Sequence, residues 1–286
     1  MNTIPNIENI KTNRCSFLMA SCDAYEDLWM PFFKLMDIYW ADCPYPIYLG
    51  TDSKKYIPEV PHSFQVNTLN YNGKGHDNYG KRLIKILEQI PTEYVLFTID
   101  DYFFRSKVAG RYIEEILDIM DTDSNIASFQ MSGSRFKPHL KEIKEGLDYV
   151  PLWPKGWATH FLPTVWRRSV LMKWLRPWES AWGFEGYGSA RYRRWHYKEK
   201  VFVVRQPEIY DYFVFKDSAA VVHGKWLDIP QLDEFFNNNH IKIDYSKREK
   251  ISWEDFQAES MWEHQKQLTI WQLFKKCINY CRSFLP

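Results

Sequence analysis

Two adjacent carboxylates, Asp100 and Asp101, close the apolar run Tyr94-Val-Leu-Phe-Thr-Ile99. Carboxylates held about 4 Å apart repel by roughly 4 kcal/mol at an effective dielectric near 20, so such a pair usually binds a cation or shares a proton. A hard divalent metal held by one or two carboxylates, with substrate phosphates completing its shell, is chemistry of this kind. An isolated Asp-Asp is more often a solvated strand end, but three other groups lie in the same chain. Asn78-Tyr-Gly-Lys-Arg82 places Lys81 and Arg82 in the first turn of a helix, where cations gain nothing from the macrodipole. A diphosphate or hydroxyl partner would explain them, and arginine is shaped for bidentate contacts. Pro177-Trp-Glu-Ser-Ala-Trp-Gly-Phe-Glu-Gly186 sets Glu179 and Glu185 among aromatic residues, surroundings that raise a carboxyl pKa. Ala219-Ala-Val-Val-His-Gly-Lys-Trp226 is a second apolar run ending on polar groups; a histidine there is more often a structural hydrogen-bonding residue.

The elements around these groups follow from hydrophobic periodicity. Residues 15–22 read as a strand, and Tyr25–Trp40 repeats Leu28, Phe32, Leu35 and Ile38 at helical spacing. A short strand runs from Pro46 to Gly50 and ends at Thr51-Asp52; a third lies near Phe64–Val66. Asn70–Gly80 is a loop, and Lys81–Ile90 is a helix stopped by Pro91. The run from Tyr94 lacks alternation, as in a parallel strand covered on both faces. A helix over Val108–Met120 and a strand over Ile126–Gln130 continue an alternation that implies a mostly parallel sheet, whose ligands bind beyond the carboxyl ends of its strands. Tyr149–Trp195 is rich in tryptophan and proline, with Trp157, Trp178 and Trp182 among seven tryptophans. Most belong in an aromatic core; one or two could present flat faces to sugar rings. The stretch from Trp253 to Phe284 reads as helical and ends with an apolar face flanked by Lys275, Lys276 and Arg282, suited either to docking on the domain or to an anionic membrane surface.

The 286 residues, 45% hydrophobic, suffice for a full core in one large domain. A net charge of +1 argues against a broad nucleic-acid surface. No secretory signal opens the sequence, and no apolar run is long enough for a bilayer span. Five cysteines without paired spacing read as reduced thiols of a cytoplasmic protein.

In order, the strand ending at Ser21-Cys22-Asp23, the strand ending at Thr51-Asp52, Asn78-Tyr-Gly-Lys-Arg82 and the Asp100-Asp101 strand end resemble the nucleotide-binding half of a GT-A glycosyltransferase, especially the bacterial capsule and lipopolysaccharide enzymes. The resemblance spans roughly residues 15–226. It implies an α/β, Rossmann-like, mostly parallel sheet flanked by helices, with a Trp-rich acceptor side and a C-terminal helical tail. The expected layout is an extension over 1–14, a catalytic domain over 15–228 divided near 130 into donor and acceptor halves, and a helical region over 229–286. By position, Ala20, Ser21 and Asp23 would contact the nucleoside, with Thr51 and Asp52 nearby and Lys81 and Arg82 toward the diphosphate. Asp101 would bind Mn²⁺ or Mg²⁺, and Asp100 would face ribose or sugar. The family motif is more often Asp-x-Asp, which leaves the division of roles between the two open. Trp182-Gly-Phe-Glu185 resembles the acceptor and general-base motif of inverting members, with Gly186 where the family often has Asp. The base is then Glu185, or alternatively Glu179, with Trp182, Trp157 and Trp178 toward the acceptor. His223 would complete the metal site and Lys225 touch the diphosphate.

The function so implied is metal-dependent transfer from a nucleotide sugar, UDP being the commonest donor, to a saccharide or lipid-linked saccharide of a bacterial surface polysaccharide. The protein would be cytoplasmic, with contact at the inner membrane through the C-terminal helix as one of the two readings of that helix given above. A nucleotidyltransferase should carry a Gly-rich phosphate loop where this chain has Ser21-Cys-Asp-Ala-Tyr25. A noncatalytic carbohydrate-binding protein would bind glycans without nucleotide or metal. Glycoside hydrolysis needs only paired carboxylates and leaves the nucleotide-like strand ends unexplained.

Overall fold

The computed structural model describes residues 14–73, 78–131, 141–144, 147–149, 158–195, 198–204, 209–265 and 270–285; Trp157 lies outside them. The strands of the main sheet are β1 (Cys15–Ala20), β2 (Ile47–Thr51), β3 (Val66–Asn70), β4 (Tyr94–Ile99), β5 (Ile126–Gln130), β6 (Lys141–Lys144), β7 (Leu147–Tyr149), β8 (Thr164–Arg167) and β9 (Lys200–Val204). Their order is β3-β2-β1-β4-β8-β5-β9-β7-β6. Strands β1 to β4 are mutually parallel, as are β5 and β9, while β8 runs against its neighbours β4 and β5. The α/β class and mainly parallel sheet expected from the sequence are therefore present. The third strand lies at 66–70 rather than near 64–66.

Helices cover both faces: α1 (Glu26–Trp40), α2 (Tyr79–Leu87), α3 (Gly110–Thr122) and α4 (Arg168–Trp174). The period-2 geometry of a strand divides its side chains between two cores. Cys15, Phe17 and Met19 of β1, with Tyr94 and Leu96 of β4, pack beside residues of α1 and α3. Leu18 and Ala20, with Val95 and Phe97, pack beside residues of α2 and α4. Burial on both faces is why these strands are apolar without alternation. Phe17, Phe32 and Phe104 meet with ring centroids 5.3 to 6.3 Å apart. Aromatic pairs contribute about 0.5–1.5 kcal/mol beyond burial, so this trio fixes the backbone just after Asp101 against β1 and α1.

The chain continues through α5 (Ala181–Gly183), a π-helical turn over Phe184–Gly188 and α6 (Ser189–Trp195). Next come β10 (Val221–Val222) and β11 (Lys225–Asp228), then α7 (Pro230–Asn238), β12 (Lys250–Ser252), α8 (Trp253–Gln265) and α9 (Ile270–Ser283). β10, β11 and β12 form a separate three-stranded sheet, so the region after residue 228 contributes a strand as well as helices. No helix among the described residues is long and apolar enough to cross a membrane.

Candidate functional site

A cleft of about 940 Å³ opens at the carboxyl ends of β1 and β4, within the usual size range for small-molecule sites. Of the residues singled out in the sequence, Ala20, Ser21, Arg82, Asp100, Asp101, Trp182, Glu185 and His223 line it. Asp23, Thr51, Asp52, Lys81, Trp178, Glu179 and Lys225 do not.

Ser21 begins the loop after β1. Its hydroxyl donates to Asp100 Oδ2 and accepts from the Trp29 indole N–H at 2.6 Å, fixing the carboxylate to the first helix. Asp23 supports this loop from outside the cleft. Its carboxylate accepts the backbone N–H groups of Asp52, Ser53 and Lys54 at 3.1 to 3.2 Å and the Ser53 hydroxyl at 2.6 Å. Burial works to raise its pKa, but these hydrogen bonds outweigh it and hold Asp23 below the usual carboxylate range. Asp52 pairs with Arg82 at 2.6 Å, and Arg82 also donates to the Ser21 carbonyl at 3.3 Å. Arg82 thus ties the first two strand ends together at the cleft wall. Thr51 is buried, donating to the Lys54 carbonyl at 2.8 Å, and Lys81 is exposed.

Asp100 is buried, which pushes its pKa up to about 7 despite the Ser21 hydrogen bond. Asp101 is displaced upward as well, by burial first and then by repulsion from Asp100. Its Oδ1 is buried without a hydrogen-bond partner. An orphaned carboxylate oxygen beside a second carboxylate fits a divalent cation. Asp101 would hold it, with the neighbouring Asp100 adding negative charge. Among the described residues no cluster of three His, Cys, Asp or Glu side chains is placed to hold a metal, so a bound phosphate would have to complete the shell.

Glu185 projects from the π-helical turn. Thr159 Oγ1 donates to the Phe184 carbonyl at 2.9 Å, and Ser189 Oγ lies 3.0 Å from the same hydroxyl, so side chains serve polar groups that the altered turn displaces. The Glu185 carboxylate accepts the Phe161 N–H at 3.2 Å. Burial raises its pKa, and that one hydrogen bond opposes the rise. Trp182 stands 82% exposed on the rim. At Gly186 an added side chain would meet open space, so the glycine is not demanded by crowding.

Glu179 belongs elsewhere. It is buried in a two-pronged ion pair with the fully buried Arg191, whose guanidinium also donates to the carbonyls of Trp174 at 2.9 Å and Ser283 at 3.1 Å. Trp178 stacks under Arg282, 4.8 Å from the guanidinium carbon. These placements make Glu179 a packing residue and leave Glu185 as the candidate base facing the cleft. Glu179→Ala strands the Arg191 charge in the interior, and we expect it to cost about 3 kcal/mol, read as a lowered urea midpoint at unchanged slope.

His223 and Gly224 occupy the two-residue loop of the β10–β11 hairpin, with φ of 49° and 75°. A two-residue hairpin turn of the type I′ kind needs positive φ at both positions, which accounts for the glycine. The turn brings His223 to the cleft, where Nδ1 lies 3.1 Å from Glu259 and the ring meets Phe256 edge-on. Lys225 does not line the cleft; its Nζ lies 3.7 Å from Glu249 and from Glu259, the acid that also meets His223.

Among the groups not singled out in the sequence are Tyr25, Tyr79 and His160 in the cleft and Arg248 as a support. Tyr25 lines the cleft beneath Arg248, whose guanidinium carbon is 4.2 Å from the ring centroid. Arg248 pairs with Asp27 at 2.8 Å and donates to the carbonyls of Ala24 at 2.8 Å and Gly224 at 2.7 Å, joining the small sheet to the loop after β1. Tyr79 Oη and both ring nitrogens of His160 are buried at the cleft without hydrogen-bond partners. Burial lowers the His160 pKa to about 3, so its ring is neutral at physiological pH.

No family model and no curated protein matches the chain. Among solved structures, S. aureus TarS is 13% identical with a TM-score of 0.41, over 67% of this chain and 35% of that one. The TarS 1-349 fragment in complex with UDP is 14% identical at 0.43, over 68% of this chain and 58% of its own. The same fragment alone is 12% identical at 0.43, over 94% and 80%. The chain thus spans about a third of the first of these TarS chains.

Proposed function

We propose that the chain is a glycosyltransferase of the GT-A type that uses a nucleotide sugar and a divalent cation, Mn²⁺ or Mg²⁺. The acceptor is a saccharide or lipid-linked saccharide of a bacterial surface polysaccharide, and UDP is the first donor nucleotide to test. The observation that carries this reading is the unpartnered buried oxygen of Asp101, beside Asp100 and in the same cleft as Glu185.

In this reading Ala20, Ser21 and Tyr25 bound the nucleoside end, and Arg82 holds their loop in place. Asp101 takes the cation; His223 faces the same cleft and is the second candidate ligand. When bound, the cation supplies Lewis-acid stabilisation of the departing diphosphate. Glu185 accepts the proton of the attacking acceptor hydroxyl, its burial raising its basicity toward the working pH, and the sugar inverts. Trp182 offers its exposed face to the acceptor ring.

The test is incubation with UDP-, GDP-, dTDP- and CMP-sugars in the presence of Mn²⁺, following release of the free nucleotide. Release from one nucleotide class, suppressed by EDTA, supports the transferase. Glycan binding with no nucleotide release from any of them would replace it with a noncatalytic carbohydrate-binding protein.

A further inference from the structure

Helix α9 presents its apolar face to solvent. At 100° per residue Ile270, Phe274 and Ile278 share one side with Leu273 and Cys277, and Trp271 stands at its margin. Ile270 is 86% exposed, Trp271 63%, Phe274 53% and Ile278 47%. A helix of a folded domain ordinarily turns such a stripe inward. Here residues 270–279 are exposed on every side, and the contacts with the rest of the protein come from the last turn. Ser283 is buried and its carbonyl accepts from Arg191; Tyr280 meets Tyr187 edge-on; Arg282 covers Trp178. Just beyond the helix, Arg176 donates to the Leu285 carbonyl at 2.9 Å. The domain therefore grips α9 by its C-terminal end, and the apolar stripe before that end stands in solvent.

Charge indicates what covers that stripe. The helix carries Lys275, Lys276 and Arg282 and no acid, in a chain whose net charge is +1, which leaves −2 for the remainder. Lys275 and Lys276 flank the apolar side, while Arg282 is engaged with Trp178. A second copy laid against the same face would bring like charges together. An anionic lipid surface would pair with them while taking up the apolar side chains, as an in-plane amphipathic helix does. At about 1.5 Å per residue the 14-residue helix is roughly 21 Å long, too short to span a bilayer core of about 30 Å. We infer that α9 lies in the interface of an anionic membrane. Because α9 packs on Tyr187, in the turn that also carries Glu185, docking would fix the cleft relative to the lipid surface.

The test is co-sedimentation of the full chain with vesicles of phosphatidylglycerol and phosphatidylcholine, against vesicles of phosphatidylcholine alone. Binding is expected only to the mixed vesicles and should weaken with added salt. At about 1 kcal/mol per cation, Lys275→Gln with Lys276→Gln should weaken it about 30-fold. Ile270→Gln with Phe274→Gln and Ile278→Gln should abolish it, and since all three side chains are exposed, the circular dichroism and melting of the variant should match the parent. The inference is overturned by absence of binding, by equal binding to neutral vesicles, or by variants that bind as the parent does. It is equally overturned if sedimentation velocity shows a dimer that the triple variant dissociates. Nucleotide release measured on the same variants without vesicles reports on the cleft separately, so the two readings stand or fall independently.

Discussion

Asp101→Asn is expected to abolish metal-dependent nucleotide binding and to lower donor turnover by at least about 1000-fold, the several kcal/mol that a Lewis-acid cation supplies. The same substitution should make the ligand-free protein more stable at pH 8, by about 2–4 °C in melting temperature if one kcal/mol of strain is removed. The sign follows from the direction of the pKa shifts. Both carboxyls titrate above their ordinary value, because burial and mutual repulsion oppose the charged forms. Between about pH 4 and pH 7 the folded parent therefore binds more protons than the unfolded chain, and its stability falls as pH rises. Removing one carboxylate removes part of that fall, so the difference between variant and parent should be largest above pH 7 and vanish near pH 4. Thermal melts at the two pH values, with nucleotide titration of the same samples, check both halves. A destabilised variant that still bound nucleotide with metal would assign Asp101 to the framework.

Glu185→Gln should separate chemistry from binding. Loss of a general base typically costs 10²- to 10⁴-fold in rate, whereas a glutamine of the same shape accepts the Phe161 N–H through its amide oxygen and leaves the cleft wall in place. Transfer should fall by about 10³-fold while nucleotide affinity stays within twofold. In the parent protein the transfer rate should rise with pH as Glu185 loses its proton, and the rise should centre above the ordinary glutamate range, since burial raises its pKa. A variant with parental transfer would move the base elsewhere; a variant that also lost nucleotide binding would make Glu185 a binding or structural residue.

The parts of the molecule that were legible in the sequence are those where local pattern and tertiary burial agree. The runs 15–20 and 94–99 lack alternation because both faces of the sheet are covered, and they deliver Ser21 and Asp100 to one strand-end edge as expected. Sequence could not show that β8 inserts antiparallel between β4 and β5, because strand direction leaves no mark on a four-residue buried segment. Arg248 lies in Ser246-Lys-Arg-Glu-Lys250, a charge run that reads as a solvated face; its partners Asp27 and Ala24 are more than two hundred residues away. Glu179 has the residue type and the tryptophan neighbours of a catalytic acid, and only the fold brings Arg191 against it. His223-Gly224 could have been read as a turn, since an apolar pair, two residues tolerant of positive φ and a further strand make a hairpin pattern.

Calorimetric titration of the full chain with UDP, once with Mn²⁺ and once with EDTA, addresses the cleft most directly, with GDP, dTDP and CMP alongside. Binding of one nucleotide at one site in Mn²⁺, lost in EDTA and lost in Asp101→Asn, is the result expected of a donor site built on Asp101. Failure of all four nucleotides to bind, or binding of the same strength in EDTA, would contradict it.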